Sequence, residues 1–176
     1  MKKTIYLLRH CEATGQEPDA KLTEKGKEQA EEIARFFEKQ PIENIISSPF
    51  TRAIQSIEPT ADTLGLQLQI DNRLMERRLV SKRLTDWLER FAESIEEQNI
   101  KMATGEFSRD VTTGLFEVLE SASDGTAIST HGNIIGLILK QIDGLHGFKE
   151  WVELSHPDVY KLTVEQEDYY VKRIWS

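Results

Sequence analysis

Four residues in this sequence could do chemistry together. Arg9 and His10 are adjacent at the end of the apolar run in YLLRH, Arg52 follows SSPFT, and His131 closes AISTH. Taken singly, each has an ordinary explanation: a histidine closing a strand is usually solvated or hydrogen-bonded, and one arginine in the first turn of a helix is a surface charge. Their placement changes the balance. All three segments read as strand ends, and in α/β sheets the loops at the carboxyl ends of the strands converge on one rim, where ligands bind. Burying two guanidiniums beside two imidazoles costs several kcal/mol per ion unless an anion sits among them. A phosphate dianion suits that rim, because each planar guanidinium can offer it two parallel hydrogen bonds.

The elements that must position these residues are legible in the hydrophobic periodicity. Ile5, Tyr6, Leu7 and Leu8 form a continuous apolar run, the pattern of a strand buried on both faces. Over residues 23–39, Ala30, Ile33, Ala34 and Phe37 recur at helical spacing, with Thr23 as the N-cap. Residues 44–48 read as a strand stopped by Pro49. Ala53, Ile57, Ala61 and Leu64 mark a second helix with a kink expected at Pro59. Residues 67–70 are a short strand, 84–95 a helix, and Phe107, Val111, Leu115, Val118, Leu119 and Ala122 trace another helix. A strand over 126–130 leads to His131, and the helix over 133–142 is apolar nearly all round, hence buried. Residues 159–164 and 169–175 read as a closing pair of strands across EQED. Strands alternating with helices predict an α/β three-layer sandwich with a largely parallel central sheet and an antiparallel edge, as a single domain over residues 1–176.

Composition excludes several function classes. At 39% hydrophobic and 30% charged residues, the chain reads as an ordinary soluble globular protein. Its apolar stretches fall far short of the roughly 20 residues of a membrane span. The apolar part of MKKTIYLLRH covers only residues 5–8, below the roughly 7–15 of a signal-peptide core. Cys11 is the single cysteine, so no intramolecular disulfide and no cysteine metal cage can form. That fits a reducing cytoplasm, the location expected. A net charge of −8 argues against nucleic acid. The expected partner is a small phosphorylated substrate, with no nucleic acid, no membrane, no cofactor and no metal. Oligomeric state is not legible.

The ordered motifs resemble one family. LLRHCEATGQ, LTEKGKEQAEEIA, SSPFTRAIQSIEPTADTLGL, DNRLMERRL, AISTHGNIIGLIL and PDVYKLTV follow, in order, the pattern of the histidine phosphatase superfamily, in its phosphoglycerate mutase-like branch. The resemblance implies a phosphoglycerate mutase-like fold and a metal-independent phosphomonoester phosphatase. It makes His10 a nucleophile that becomes phosphorylated. Arg9, Arg52 and His131 become the phosphate pocket, and Glu76 the proton donor to the leaving oxygen. Physical chemistry agrees on His10: imidazole attacks only when neutral, and nearby arginines disfavour its protonation. A phosphoglycerate mutase, returning the phosphoryl group to another oxygen, and a non-catalytic phospho-ligand module remain the alternatives.

Glu76 has a rival explanation, a salt bridge with Arg73, Arg77 or Arg78, which would lower its pKa and spoil it as an acid. Glu12 and Glu106 are the substitutes. Arg73, Arg77, Arg78, Lys82 and Arg83 together suggest a cationic pocket mouth that selects a second anionic group. Departures from the family pattern are Cys11 where glycine is usual, read first as a tolerated small side chain, with a narrowed pocket or a redox-sensing or nucleophilic thiol as the alternatives, and Gln16 where asparagine is frequent, its amide still able to donate to a phosphate oxygen. In ATGEFS, Phe107 replaces a serine, which weakens Glu106. His146 and His156 match nothing catalytic, and Trp87, Trp151 and Trp175 read as packing residues.

Overall fold

The computed structural model describes residues 2–77, 108–143 and 153–175. Strand β1 (Lys2–Arg9) is followed by α1 (Glu24–Phe37), β2 (Asn44–Ser47), α2 (Thr51–Leu64), β3 (Leu68–Ile70) and a 3₁₀ turn (Asn72–Leu74). After the undescribed residues come α3 (Ser108–Ser121), β4 (Thr126–Thr130), α4 (Gly132–Asp143), β5 (Asp158–Glu165) and β6 (Asp168–Arg173). The helix expected over 84–95 lies outside the described residues.

The strands form one sheet in the order β3-β2-β4-β1-β5-β6. Pairings among β3, β2, β4 and β1 are parallel, while β5 and β6 join antiparallel. β1 begins earlier than its apolar run because β5 pairs with it all the way from Lys2 to Arg9. Ladder hydrogen bonds extend a strand past the residues whose side chains need burial.

Alternation along β1 builds two cores. Ile5 and Leu7 pack with Leu115, Leu119, Ile134 and Ile138 of α3 and α4. Tyr6 and Leu8 pack with Ile33 and Phe37 of α1 and Ile57 of α2. All four β1 side chains are buried, which is why the run is apolar without alternation. The result is the expected three-layer sandwich.

Helix boundaries follow local chemistry. Thr23 caps α1, its Oγ1 accepting from Gly26 N at 3.0 Å. Gly26 is required for a second reason: a Cβ there would collide with the backbone carbonyl of Glu12, so only glycine lets α1 abut the loop after His10. α2 stays helical through Pro59 and ends at Gly65, whose φ of 66° is left-handed. No described helix is long and apolar enough to cross a membrane.

Candidate active site

The predicted rim exists, and strand register makes it. β1 and β4 are in-register parallel neighbours with Arg9 opposite Thr130, so the next residues, His10 and His131, leave the sheet side by side. His10 N donates to Thr130 O at 3.1 Å. The two imidazole centroids lie 5.2 Å apart, edge to face. β2 flanks β4 on its other side, and Ser48 N donates to Ser129 O at 2.9 Å, delivering Ser48, Phe50 and Arg52 to the same place.

His10 is held in one tautomer. Its Nδ1 lies 2.7 Å from the backbone oxygen of Cys11, which can only accept, so Nδ1 carries the hydrogen. Nε2 then carries the lone pair, and Arg52 Nε donates to it at 3.3 Å. Burial, aided by the charges of His156, Arg52 and Arg9, pushes the His10 pKa down to about 3 against the pull of that carbonyl. The ring is neutral at physiological pH. His131 is also buried, and desolvation with the charges of His10 and Arg52 holds it well below the usual imidazole range. Its Nε2 meets Ser48 Oγ at 2.7 Å. Its Nδ1 is buried with no hydrogen-bond partner.

Both arginines are fixed by carbonyl groups. Arg52, fully buried, donates from Nη1 to Glu17 O at 2.9 Å and Gln16 O at 3.3 Å, and sits 5.0 Å from the Phe50 ring centroid. Arg9 donates from Nη1 to Leu154 O at 2.9 Å, while its Nε is buried without a partner. Arg9 Nε and His131 Nδ1 are thus buried polar atoms with no partner among the described residues, on the same rim.

Glu76 follows the 3₁₀ turn and joins this group. Its carboxylate accepts from Arg77 N at 3.1 Å and, more weakly, from Asn133 N at 3.5 Å. None of the salt bridges among the described residues involves it. Of the three rival arginines, Arg73 pairs with Asp71 at 2.8 Å and Glu117 at 3.3 Å, Arg77 is buried and donates from Nη1 to Arg73 O and Met75 O, and Arg78 lies outside the described residues. Burial pushes the Glu76 carboxyl up to about 7, outweighing the backbone N–H groups and the charges of Arg52 and Arg9.

Other expectations fare unevenly. Arg73 is exposed and paired with Asp71 and Glu117, and Arg77 is buried and donates to backbone carbonyls, so neither is a free cation of a pocket mouth; Arg78, Lys82 and Arg83 lie outside the described residues, as do Glu106, Phe107, His146, Trp87 and Trp151. Gln16 is exposed and meets Arg52 through its carbonyl. Glu12 accepts from Thr23 Oγ1 at 3.0 Å, a role in capping α1. Cys11 does not narrow the pocket. Its side chain is fully buried in the core beneath α1 and α2, and burial pushes the thiol up to about 12. A thiol that stays protonated is neither nucleophile nor redox sensor. His156 was missed: its ring lies 5.1 Å from that of His10, and its Nδ1 donates to His10 O at 3.2 Å. Nothing in SHPD signals this, since the contact spans 146 residues and is made by tertiary packing.

Comparison with known proteins agrees with the fold. The profile of the histidine phosphatase superfamily (branch 1) matches residues 5–175, and the chain belongs to that family. A Hydrogenobacter thermophilus protein named "Putative phosphoserine phosphatase 2" is 38% identical over 81 residues, 42% of this chain and 40% of that one. The chain thus spans less than half the length of that relative. The Escherichia coli protein named "Probable phosphoglycerate mutase GpmB" is 27% identical over 83% of this chain and 77% of its own. The solved phosphoserine phosphatase of Entamoeba histolytica superposes with a TM-score of 0.77 at 15% identity, covering 98% of this chain and 97% of its own, a likeness of fold.

Proposed function

We propose that this protein is a phosphomonoester phosphatase that takes the phosphoryl group of a small phosphorylated metabolite or phosphorylated residue onto Nε2 of His10. One observation carries this most: His10 is neutral, pinned at Nδ1, and presents its lone pair among cations. Arg9, Arg52 and His131 hold the phosphate oxygens, with Arg52 Nε exchanging its contact on His10 for one on oxygen and Gln16 contributing its amide at the edge. Nε2 then bonds to phosphorus as the ester P–O bond breaks, and protonated Glu76 gives its proton to the departing oxygen. Water next attacks phosphorus, Glu76 takes its proton, the N–P bond breaks and inorganic phosphate leaves. The arginines stabilise the charge spread over the oxygens in both steps.

A carboxyl near 7 suits both halves of that cycle, being protonated and ionised in comparable amounts at neutral pH. A binding module would need the arginines but not a neutral, lone-pair-bearing imidazole. We place the protein in the cytoplasm as one domain, since its single thiol is buried and reduced. Mutase-type transfer shares the first half-reaction, and the likeness to the protein named for phosphoglycerate mutase favours testing it.

The test is covalent trapping. Labelled p-nitrophenyl phosphate, quenched in alkali and peptide-mapped, should place the label on His10. Label on another residue, or turnover with no covalent species, overturns the mechanism. Phosphate release from 3-phosphoglycerate, with and without 2,3-bisphosphoglycerate, separates water from a second substrate oxygen as acceptor.

A further inference from the structure

We infer that His156 is a third histidine of the phosphate site, one that takes up a proton when a phosphate dianion settles between His10 and His131. This rests on the phosphate reading of the site. The loop that carries His156 is bound to that site at two points. Leu154 and Ser155 accept from Arg9 Nη1 at 2.9 and 3.5 Å, and His156 Nδ1 donates to His10 O at 3.2 Å. Beneath it, the fully buried Asp158 pairs with Arg173 at 2.9 Å and accepts from Ser155 N at 3.0 Å, which anchors the loop to β6.

The contact with the His10 carbonyl settles the tautomer. A carbonyl only accepts, so Nδ1 keeps its hydrogen, and any added proton goes to Nε2. His156 is exposed, so that proton can come from solvent. The charged and titratable groups facing it are Arg9 of β1, His10 and Glu12 beyond β1, and Arg52 of α2. Asp158 on its own loop is already paired with Arg173, and Glu153 is exposed. Burial and then the charge of Arg9 keep the ring below the usual imidazole range, with Arg52 adding to this against the His10 carbonyl and Glu12. A dianion between the arginines cancels their two positive charges, and the ring then sees net attraction for a proton. Linkage sets the direction: a group whose pKa rises on binding strengthens binding below its free value, and the gain fades as pH rises through the bound value. Each unit of rise is about tenfold in affinity.

Asparagine separates this role from simple support. In His156→Asn the amide N–H can replace Nδ1–H toward the His10 carbonyl but cannot titrate. The pKa of His156 is read by NMR across pH 5–8.5, without and with saturating inorganic phosphate. It should rise by about one unit or more with phosphate. Calorimetry of phosphate binding in buffers of different ionisation enthalpy should show more proton uptake by wild type than by His156→Asn, and phosphate's own titration cancels in that difference. A His156 signal unmoved while His10 and His131 respond, or equal proton uptake in both proteins, overturns this inference alone. No response from any of the three overturns the phosphate reading and this inference with it.

Discussion

Two regions of this molecule invite comparison. The rim at the ends of β1, β2 and β4 gathers buried polar groups: Arg52 and His131 are 0% exposed and His10 is 4% exposed. Against α3, α4 and the β5–β6 turn lies a cavity of about 1290 Å³, lined among others by Arg109, Glu117, Glu120, Lys140, Asp168 and Tyr170. There both signs of charge are mixed, and most of those side chains are exposed. Exposed groups of that cavity can be satisfied by solvent, whereas the rim holds desolvated cations and buried polar atoms without a partner, Arg9 Nε and His131 Nδ1.

The largest effect should break the rim outright. His10→Ala should lower kcat/KM by about 10⁴-fold or more while inorganic phosphate still binds, measured by turnover and phosphate titration. Retained wild-type activity would sink the assignment.

Glu76→Gln should come next, slowing alkyl phosphates by about 10²–10⁴-fold and p-nitrophenyl phosphate much less, because its phenolate needs little protonation. In the native enzyme, turnover of alkyl phosphates should fall as pH rises through about 7. The same residue carries a stability signature. Its carboxyl lies near 4.5 unfolded and about 7 folded, so folding is penalised progressively as pH climbs between those values. The penalty is of the order of 3 kcal/mol. Glu76→Gln should therefore melt higher than wild type at pH 8, with the gap closing by pH 4. A constant gap would mean that Glu76 is not held protonated by burial.

Gly132→Ala probes the rim's packing. A Cβ there would lie 3.1 Å from Arg9 Nε and 3.2 Å from its Cζ and Nη2, so the guanidinium must shift. A displaced phosphate contact should cost about tenfold in kcat/KM, and unchanged kinetics would show that Arg9 does not position phosphate. At the cavity, Tyr170→Ala should change kcat/KM and stability hardly at all, within about 0.5 kcal/mol. A strong loss of activity there would erase the contrast between the two sites.

Much of this was legible in residues alone, wherever the physics is local or periodic. The unbroken apolar run in β1 announced burial on both faces, and the structure divides Ile5 and Leu7 from Tyr6 and Leu8 between two cores. Thr23 announced a cap, and Arg9, His10, Arg52 and His131 stood at element ends where a sheet makes its rim. What the residues left open was decided by packing between distant segments. Glu76 had rivals for its carboxylate whose course the residues did not show: among the described ones, Arg73 pairs with Asp71 and Arg77 donates to backbone carbonyls. Cys11 broke the alternation of β1, which would set it beside Ile5 and Leu7; it packs instead with Tyr6 and Leu8, a matter of how the chain turned after His10. His156 joined the site only because β5 pairs antiparallel with β1, placing Asp158 opposite Arg9 and the preceding loop over His10. Residue type and spacing determine what a segment can do; desolvation and proximity, which set each group's charge, exist only once distant strands have met.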